Sequence, residues 1–269
     1  MKTAIIIPAR YASTRFPGKP LAKIAGRSML SRVVDIGRRA ITGHDNVTLM
    51  VATNDQRIAD HCREIGVECV MTSDECPTGS DRVLEAAQKS SGGFDFLVSL
   101  QGDAPFTPAE ALSLMLEAAM DNPGLEVVTP VIRLRWSELE ALREAKKTTP
   151  FSGTTVTIGP DGHALWFSKN IIPAIRKEKD LRGQGEFSPV YQHLGLYGYR
   201  TDVLERYVRL PQGHYEQLEG LEQLRLLENE ITVHTVEVGL EKGLVQSGID
   251  SPEDLARAEA LIKAHGERM

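Results

Sequence analysis

Three cations follow the first apolar run of the sequence, in the stretch IIIPARYASTRFPGKPL: Arg10, Arg15 and Lys19. The chain as a whole carries a net charge of −6, so a loop this basic calls for an explanation. The prolines of the stretch fix their φ angles and make the loop stiff, which preorganises its cations. One interpretation is a solvated basic loop. The other is a site for a nucleoside triphosphate of about −4 charge, held by charge-assisted hydrogen bonds.

Two carboxylates far apart in the sequence could complete such a site. Asp103 follows the apolar run FDFLVSLQ, and Asp250 precedes the last segment with helical periodicity. Ligands of open parallel sheets bind beyond the carboxyl ends of the strands. Mg²⁺ needs one or two carboxylates there and completes its shell with phosphate oxygens and water. We therefore expect Asp103 and Asp250 to hold Mg²⁺, and the alternative for each is a cap or turn residue.

The stretch CPTGSDRV predicts a helix that starts at Gly79 and Ser80, with Arg82 just inside it. Backbone groups at that start could read the edge of a base, and an ordinary helix cap is the alternative. The first loop contains neither G-x-G-x-x-G nor G-x-x-x-x-G-K-[ST]. A Rossmann dehydrogenase and a P-loop enzyme are therefore poorly supported, and side chains must help to hold the phosphates.

Composition is that of a globular enzyme. The 269 residues are 41% apolar and 25% charged, and no apolar run approaches the roughly 20 residues that span a bilayer. We expect a cytoplasmic protein without a membrane segment, and the acidic balance argues against a nucleic-acid binder. Cys62, Cys69 and Cys76 lack C-x-x-C spacing, which predicts reduced, mostly structural thiols without zinc.

Apolar runs alternate with segments of helical periodicity up to about residue 135, which predicts right-handed parallel crossovers. Beyond residue 150, TTVTIGPDGHALWFS predicts a hairpin, RKEKDLRGQGE a mobile loop, HLGLYGYR one strand and EQLEGLEQLRLLENE one helix. Ser251 is the expected N-cap of a final helix. The fold class is α/β, a Rossmann-like doubly wound, mostly parallel sheet with a small inserted lobe.

Six stretches in this order resemble the 3-deoxy-manno-octulosonate cytidylyltransferase family over nearly the whole chain: IPARYASTRFPGKPL, QGDAP, HALWFSKNIIP, HLGLYGYR, GLEQLRLLE and GIDSPEDL. The resemblance implies a single domain of the nucleotidyltransferase type over 1–269, usually dimeric. It assigns roughly 150–230 to acceptor binding and dimerisation. It implies transfer of CMP from CTP to the sugar acid KDO (3-deoxy-manno-octulosonate), with Mg²⁺ and release of pyrophosphate, for lipopolysaccharide synthesis.

The resemblance also implies roles for individual residues. Arg10, Arg15 and Lys19 would hold the triphosphate, with Asp103 and Asp250 on Mg²⁺. The nucleotide-binding set would be Ala9, Arg10, Arg15, Lys19, Thr78, Gly79, Ser80, Arg82 and Gln101. The acceptor-binding set would be Gln101, Lys169, His193, Tyr197, Glu222 and Gln223. The sequence supports part of this set, because His193 and Tyr197 are four apart on a predicted strand and so share a face.

Several positions depart from the family pattern. Ala104 replaces a glutamate, Cys76 a histidine, Thr155 a lysine and Lys169 an arginine. Lysine cannot reproduce the bidentate fork of arginine. The acceptor is therefore less fixed than CTP, and an 8-amino analogue of KDO or a phosphonate acid is the close alternative. A sugar-1-phosphate nucleotidyltransferase and a non-catalytic nucleotide-binding regulator are the alternatives from other classes.

Overall fold

The computed structural model describes residues 1–12, 16–239, 248–249 and 251–265. Numbered in chain order, the strands are β1 (Thr3–Pro8), β2 (Lys23–Ile24), β3 (Arg27–Ser28), β4 (Val47–Thr53), β5 (Glu68–Met71), β6 (Phe96–Ser99), β7 (Val127–Arg135), β8 (Thr155–Ile158), β9 (Ala164–Ser168), β10 (Phe187–His193), β11 (Tyr197–Arg200) and β12 (Val233–Glu237). The helices are α1 (Met29–Ala40), α2 (Gln56–Glu64), α3 (Gly79–Lys89), α4 (Ala109–Asp121), α5 (Trp136–Thr148), α6 (Glu178–Arg182), α7 (Thr201–Tyr207), α8 (His214–Glu219), α9 (Gln223–Glu228) and α10 (Pro252–His265).

The first half of the chain forms the parallel part of the sheet. Strand β1 pairs with β4 on one side and β6 on the other, and β5 adds to β4, all in parallel. Ile5 and Ile7 join a core with α1, α2 and α4, while Ala4 and Ile6 face the opposite core with α3, α7 and α9. Because both faces of β1 are covered, its run is continuously apolar. The predicted doubly wound, mostly parallel sheet is confirmed.

The antiparallel part of the sheet centres on β7. Strands β10 and β11 follow one another along β7, with His193 opposite Val131 and Gly198 opposite Val128. Six residues, 193–198, thus lie against four, 128–131, and the segment 194–196 takes up the difference as a break in the strand. On its other side, β11 pairs with β6 and β10 pairs with β8. The break therefore lies between the part of this edge that adjoins β6 and the part that adjoins β8.

Four elements differ from the sequence-based predictions. HLGLYGYR is not one strand, because the break at 194–196 divides it. The region predicted as a single helix is two, α8 and α9, since Gly220 adopts a left-handed conformation (φ 62°) that ends α8. The charged stretch predicted as a mobile loop contains α6, and α5 was not predicted. The β8–β9 hairpin is confirmed.

The remaining predictions concern caps, thiols and membrane segments. Ser251 caps α10 as predicted, because its Oγ accepts a hydrogen bond from the backbone N of Asp254 (3.2 Å). Cys62, Cys69 and Cys76 are free thiols. In the part of the chain that the structure describes, no helix is long and apolar enough to cross a membrane.

Candidate active site

A polar cleft opens at the carboxyl ends of β1 and β6, with a cavity volume of about 350 Å³. The first residues after both strands line it, together with the start of α3 and one residue beside α9. The lining residues are Pro8, Ala9, Arg10, Lys19, Pro20, Cys76, Pro77, Thr78, Gly79, Arg82, Gln101, Gly102, Asp103 and Glu222. The sheet topology thus brings together residues from four distant stretches of the sequence.

The loop after β1 supplies the cations of the cleft. Ala9 is buried and donates its backbone N–H to Ala52 on β4 (2.9 Å), which fixes where the loop begins. Arg10 is exposed and forms no ion pair with the described residues. Lys19 follows Gly18, whose left-handed conformation (φ 72°) closes the loop onto the carbonyl of Tyr11. A side chain at Gly18 would meet the Tyr11 ring at 3.0 Å, so glycine is required there.

The stretch after β6 brings a carboxylate to these cations. Lys19 Nζ lies 2.7 Å from Asp103 Oδ2. The loops can approach because position 102 is glycine: a Cβ there would lie 2.8 Å from the carbonyl oxygen of Pro8. Gln101 donates its side-chain amide to Ser99 (3.2 Å), so it stays at the end of β6.

Arg15 and Asp250 lie outside the described residues. The chain before Asp250 nevertheless reaches Asp103, because Ile249 donates its backbone N–H to the Asp103 carbonyl (2.9 Å). The Asp103 side chain is about one-third exposed (36%) to the cleft. An accessible carboxylate beside the cations of the loop after β1 fits Mg²⁺, which needs few protein ligands. Among the described residues, no group of three or more His, Cys, Asp or Glu side chains could hold a metal ion.

The start of α3 forms another wall of the cleft. Thr78 caps the helix: its Oγ accepts from the N–H of Asp81 (3.3 Å), and Asp81 accepts from the N–H of Thr78 (3.1 Å). Arg82 is buried and donates to the hydroxyl of Thr72, which holds its guanidinium against the cleft. Ser80 does not line the cleft; its hydroxyl contacts that of Tyr199. The structure therefore brings Thr78, Gly79 and Arg82 to the predicted site and turns Ser80 away.

A loop that ends at Thr78 is anchored by Glu85, a residue that sequence analysis missed. Glu85 accepts hydrogen bonds from the backbone N of Ser73 and from Sγ of Cys76, both at 2.8 Å. The hydrogen bond from Cys76 and the ion pair with Lys89 lower the pKa of Glu85 to about 2. Burial of the Cys76 thiol is the larger cause that raises its pKa to about 11, and its hydrogen bond to the Glu85 carboxylate is the next. This thiol therefore stays protonated. Cys76, predicted as a structural thiol, lines the cleft.

Three of the predicted acceptor residues, His193, Tyr197 and Lys169, lie around the break in the β10–β11 edge. His193 ends β10 and Tyr197 begins β11, and their ring centroids are 5.3 Å apart. They were predicted to share a face of one strand; they lie on two strands instead, and the break between these strands brings their rings together. Tyr197 pairs with Ser99 of β6, two residues before Gln101. Lys169 follows β9 and is near enough to His193 to influence its titration.

Burial is the main electrostatic influence on this group. It lowers the pKa of His193 to about 3, assisted by the nearby Lys169 ammonium. It also lowers the pKa of Lys169. Thr155, which like Lys169 departs from the family pattern, is fully buried. Its hydroxyl donates to the Asn170 carbonyl (2.7 Å) and accepts from the N–H of Ile172 (3.0 Å). Thr155 therefore fixes the chain after Lys169 and leaves no hydroxyl hydrogen for a ligand.

Glu222 and Gln223 lie at the start of α9, and Glu222 reaches the cleft. Although Glu222 is exposed to the cleft, neighbouring protein partly desolvates its carboxylate and raises its pKa, an effect that Arg225 opposes. Gln223 is buried. Tyr207 donates its hydroxyl to the Glu222 carbonyl (3.2 Å) and stacks on Tyr199, which connects α9 to the aromatic row beside Tyr197.

A family model and individual relatives match this chain over most of its length. Residues 4–236 match the family model described as cytidylyltransferase. The chain is 43% identical to the 3-deoxy-manno-octulosonate cytidylyltransferase of Maricaulis maris, over 99% of both chains. It is 39% identical to the protein of the same name from Desulfatibacillum aliphaticivorans, over 98% of this chain and 99% of that one.

A solved structure is similar as well. It is that of CMP:2-keto-3-deoxy-manno-octonic acid synthetase complexed with CTP, with a TM-score of 0.81 and 33% identity. The match covers 98% of this chain and 99% of that one. The similarity therefore extends over both the cleft and the β8–β11 region beside it.

Proposed function

The chain belongs to the cytidylyltransferase family, and we propose that it transfers CMP from CTP to the anomeric hydroxyl of a 2-keto-3-deoxy sugar acid, KDO, with release of pyrophosphate. The observation that carries the proposal is the cleft itself. A cationic loop, an accessible carboxylate and a capped helix start meet there, next to a row of aromatic and polar side chains. These features match the two halves of the reaction, a triphosphate and a sugar acid.

In this proposal the loop after β1 binds the triphosphate. Arg10 is exposed toward the cleft, and Lys19 lies inside it with a side chain only 13% exposed. Charged donors in such a partly dehydrated site interact with phosphate more strongly than in water. Arg15 would join them. Thr78, Gly79 and Arg82 would surround the cytosine, with Gln101 between nucleotide and sugar acid.

We propose Mg²⁺ as the cofactor, held by Asp103 and Asp250. When bound, Mg²⁺ supplies charge that neutralises phosphate oxygens and makes the anomeric hydroxyl more acidic. Lys19, which pairs with Asp103 in this structure, would then be available to the phosphates. The carboxylate of Asp103 is thus assigned to the metal and the ammonium of Lys19 to the leaving pyrophosphate.

The chemistry requires alignment rather than a covalent intermediate. The anomeric oxygen forms a bond to the α-phosphorus while the bond from that phosphorus to the bridging oxygen of pyrophosphate breaks. The chain's residues bind the two reactants so that attack is in line, and its cations stabilise the charge on the leaving group. On the acceptor side, Lys169 would bind the acid's carboxylate, and His193, Tyr197, Glu222 and Gln223 its hydroxyls.

Pyrophosphate release from CTP tests the proposal. The protein is incubated with CTP and Mg²⁺, alone and with each member of a panel: KDO, its 8-amino analogue, a phosphonate acid and a sugar 1-phosphate. We expect release with KDO that depends on both the acid and Mg²⁺. Release with a sugar 1-phosphate alone, or with no member of the panel, would overturn it. Reactions without the protein give the background.

We also propose a cytoplasmic homodimer with 150–230 in its interface. Leu165 on β9 and Leu218 on α8 are large apolar side chains in this region, 61% and 68% exposed. Next to them, Tyr215 is 47% exposed and packs edge-on against Trp166. A second copy of the chain would cover this apolar surface. Lipopolysaccharide synthesis would be the use of the product.

A further inference from the structure

We propose that Thr129 is a positioning residue that holds His193 in the Nε2-protonated form, so that Nδ1 accepts a hydrogen bond from a hydroxyl of the acceptor. The part of this inference that concerns the acceptor rests on the proposed function. The part that concerns the proton on His193 follows from the ligand-free geometry alone. The two parts can therefore be tested separately.

The proton assignment follows from the hydrogen bonds of one hydroxyl. Thr129 lies on β7 and is fully buried. Its Oγ is 2.7 Å from the carbonyl oxygen of Leu196 and 2.9 Å from Nε2 of His193. A carbonyl oxygen can only accept, so the single hydroxyl hydrogen of Thr129 must go to Leu196. The hydroxyl oxygen then accepts from His193, and the hydrogen of the imidazole resides on Nε2.

The same hydroxyl also holds the break in the strand. Leu196 lies in the segment that separates β10 from β11, where six residues lie against four of β7. Thr129 therefore connects both sides of the break, His193 before it and Leu196 after it. Loss of its hydroxyl would affect the orientation of the imidazole and the path of this short segment together, with no effect on the loop after β1.

The surroundings of His193 keep the ring neutral and in place. Its ring contacts Phe167 edge-on, with centroids 5.0 Å apart, and lies beside Tyr197. Burial of the ring, assisted by the nearby Lys169 ammonium, lowers its pKa to about 3. A neutral ring with its hydrogen on Nε2 has one lone pair, on Nδ1. Among the described residues, none donates a hydrogen bond to that atom.

The lone pair on Nδ1 of His193 determines which ligand groups can bind next to it. Nδ1 can accept from a hydroxyl or an ammonium group, whereas a carboxylate, a carbonyl or an ether oxygen would oppose its lone pair. The acid's carboxylate is left to a cation, and Lys169 is adjacent. An acceptor whose hydroxyl at this position is removed or methylated could not donate a hydrogen bond to Nδ1, and it would bind more weakly.

The first experiment uses the ligand-free protein. Two-bond ¹H–¹⁵N correlation spectra distinguish the two neutral forms of histidine, and the His193→Gln variant identifies the His193 signal. We expect the Nε2–H pattern in the unmodified protein and in Thr129→Ser, which keeps the hydroxyl. In Thr129→Val, similar in shape but without the hydroxyl, the Nε2–H pattern should be lost or mixed. An Nδ1–H or a charged imidazole in the unmodified protein at pH 7 would overturn the proposal.

The second experiment uses steady-state kinetics with KDO and CTP. Thr129→Val should raise KM for the acid by about tenfold, the size expected for one lost buried hydrogen bond, with KM for CTP unchanged. Thr129→Ser should stay near the original value. Equal increases for both substrates, or equal behaviour of the two variants, would contradict the positioning role. If no acid is turned over, the proposed function fails, while the spectra still decide the proton assignment. If Thr129→Val does not fold, the spectra of the unmodified protein and Thr129→Ser decide it.

Discussion

The ammonium of Lys19 lies 2.7 Å from the carboxylate of Asp103, although 84 residues separate them in the chain. The pair forms because β1 and β6 are adjacent and parallel, so the loops that follow them meet at one edge of the sheet. Glycine at position 102 permits the close approach. The contact joins two features that are far apart in the sequence, a cationic loop and a carboxylate proposed to bind Mg²⁺.

Asp103→Asn tests the role of this pair. The neutral amide can neither hold Mg²⁺ firmly nor balance Lys19, so we expect pyrophosphate release to fall by about 10²–10³-fold. A partly exposed ion pair contributes only about 0–1 kcal/mol to stability, so the free energy of unfolding should change little. Urea unfolding and the release assay measure both. Glu117→Gln, an exposed carboxylate on α4, is the matched control and should change neither; activity retained in Asp103→Asn would refute the assignment.

Glu85→Ala tests the anchor of the loop that ends at Thr78. Glu85 accepts hydrogen bonds from Ser73 and Cys76, so its loss frees the loop next to the proposed base site. We expect KM for CTP to rise about tenfold, with KM for the acid unchanged. Lys89→Ala removes an exposed ammonium that pairs with Glu85 and donates to the Met71 carbonyl (3.2 Å); because both contacts are at the surface, it should have little effect. Changes of equal size in the two variants would argue against the anchor.

His193 should make the protein sensitive to acid. Its pKa falls from 6.5 to about 3 on folding, so between these values the unfolded chain binds the extra proton. The free energy of unfolding therefore decreases as the pH falls from about 6.5 to 3, by about 1.4 kcal/mol per pH unit from this residue. Urea unfolding of the unmodified protein and His193→Gln from pH 7 to 4 measures the difference. Parallel curves for the two proteins would show that His193 is not held neutral.

Arg225 and Glu216 form a buried ion pair that supports the start of α9. Their side chains are 9% and 4% exposed, and Arg225 Nε donates to Glu216 Oε2 at 2.7 Å. Removing one partner leaves a buried charge, so Arg225→Met should lower the free energy of unfolding by about 3–5 kcal/mol. The double variant with Glu216→Gln should recover part of the loss. Urea unfolding checks this, and a loss below about 1 kcal/mol in Arg225→Met would contradict it.

Leu218→Glu tests the proposed dimer interface. A charge on this exposed apolar surface would be buried by a second copy, so the variant should be monomeric while the unmodified protein is dimeric. Light scattering after gel filtration gives the mass of each. Leu165→Glu, on β9, should also be monomeric. A monomer without any substitution would exclude the proposed dimer.

Much of the fold follows from local patterns. The continuous apolar run of β1, the turn residues of the β8–β9 hairpin and the Ser251 cap were predictable because neighbours in sequence determine them. Strand periodicity predicted only that His193 and Tyr197 share a face of one strand. Their ring contact was not predictable in this way, because it depends on the two extra residues at the break between β10 and β11.

Other features depend on contacts that no local pattern contains. The division between α8 and α9 depends on Gly220, which the Leu periodicity of the surrounding segment conceals. The turning of Ser80 toward Tyr199, and the anchoring of Cys76 by Glu85, follow from tertiary packing between distant segments. Thr129 carried no signal, because a threonine within an apolar strand is indistinguishable from an ordinary strand residue until its hydrogen bonds are known.

The central claim is that CMP passes from CTP to the anomeric oxygen of a 2-keto-3-deoxy sugar acid. ³¹P NMR of the protein with CTP, Mg²⁺ and KDO observes this directly. We expect the three CTP resonances to be replaced by one phosphodiester signal and one pyrophosphate signal. One molecule of each product should form per CTP consumed, and only when the acid is present. Unchanged CTP, or hydrolysis to CDP or CMP without a phosphodiester signal, would contradict the account.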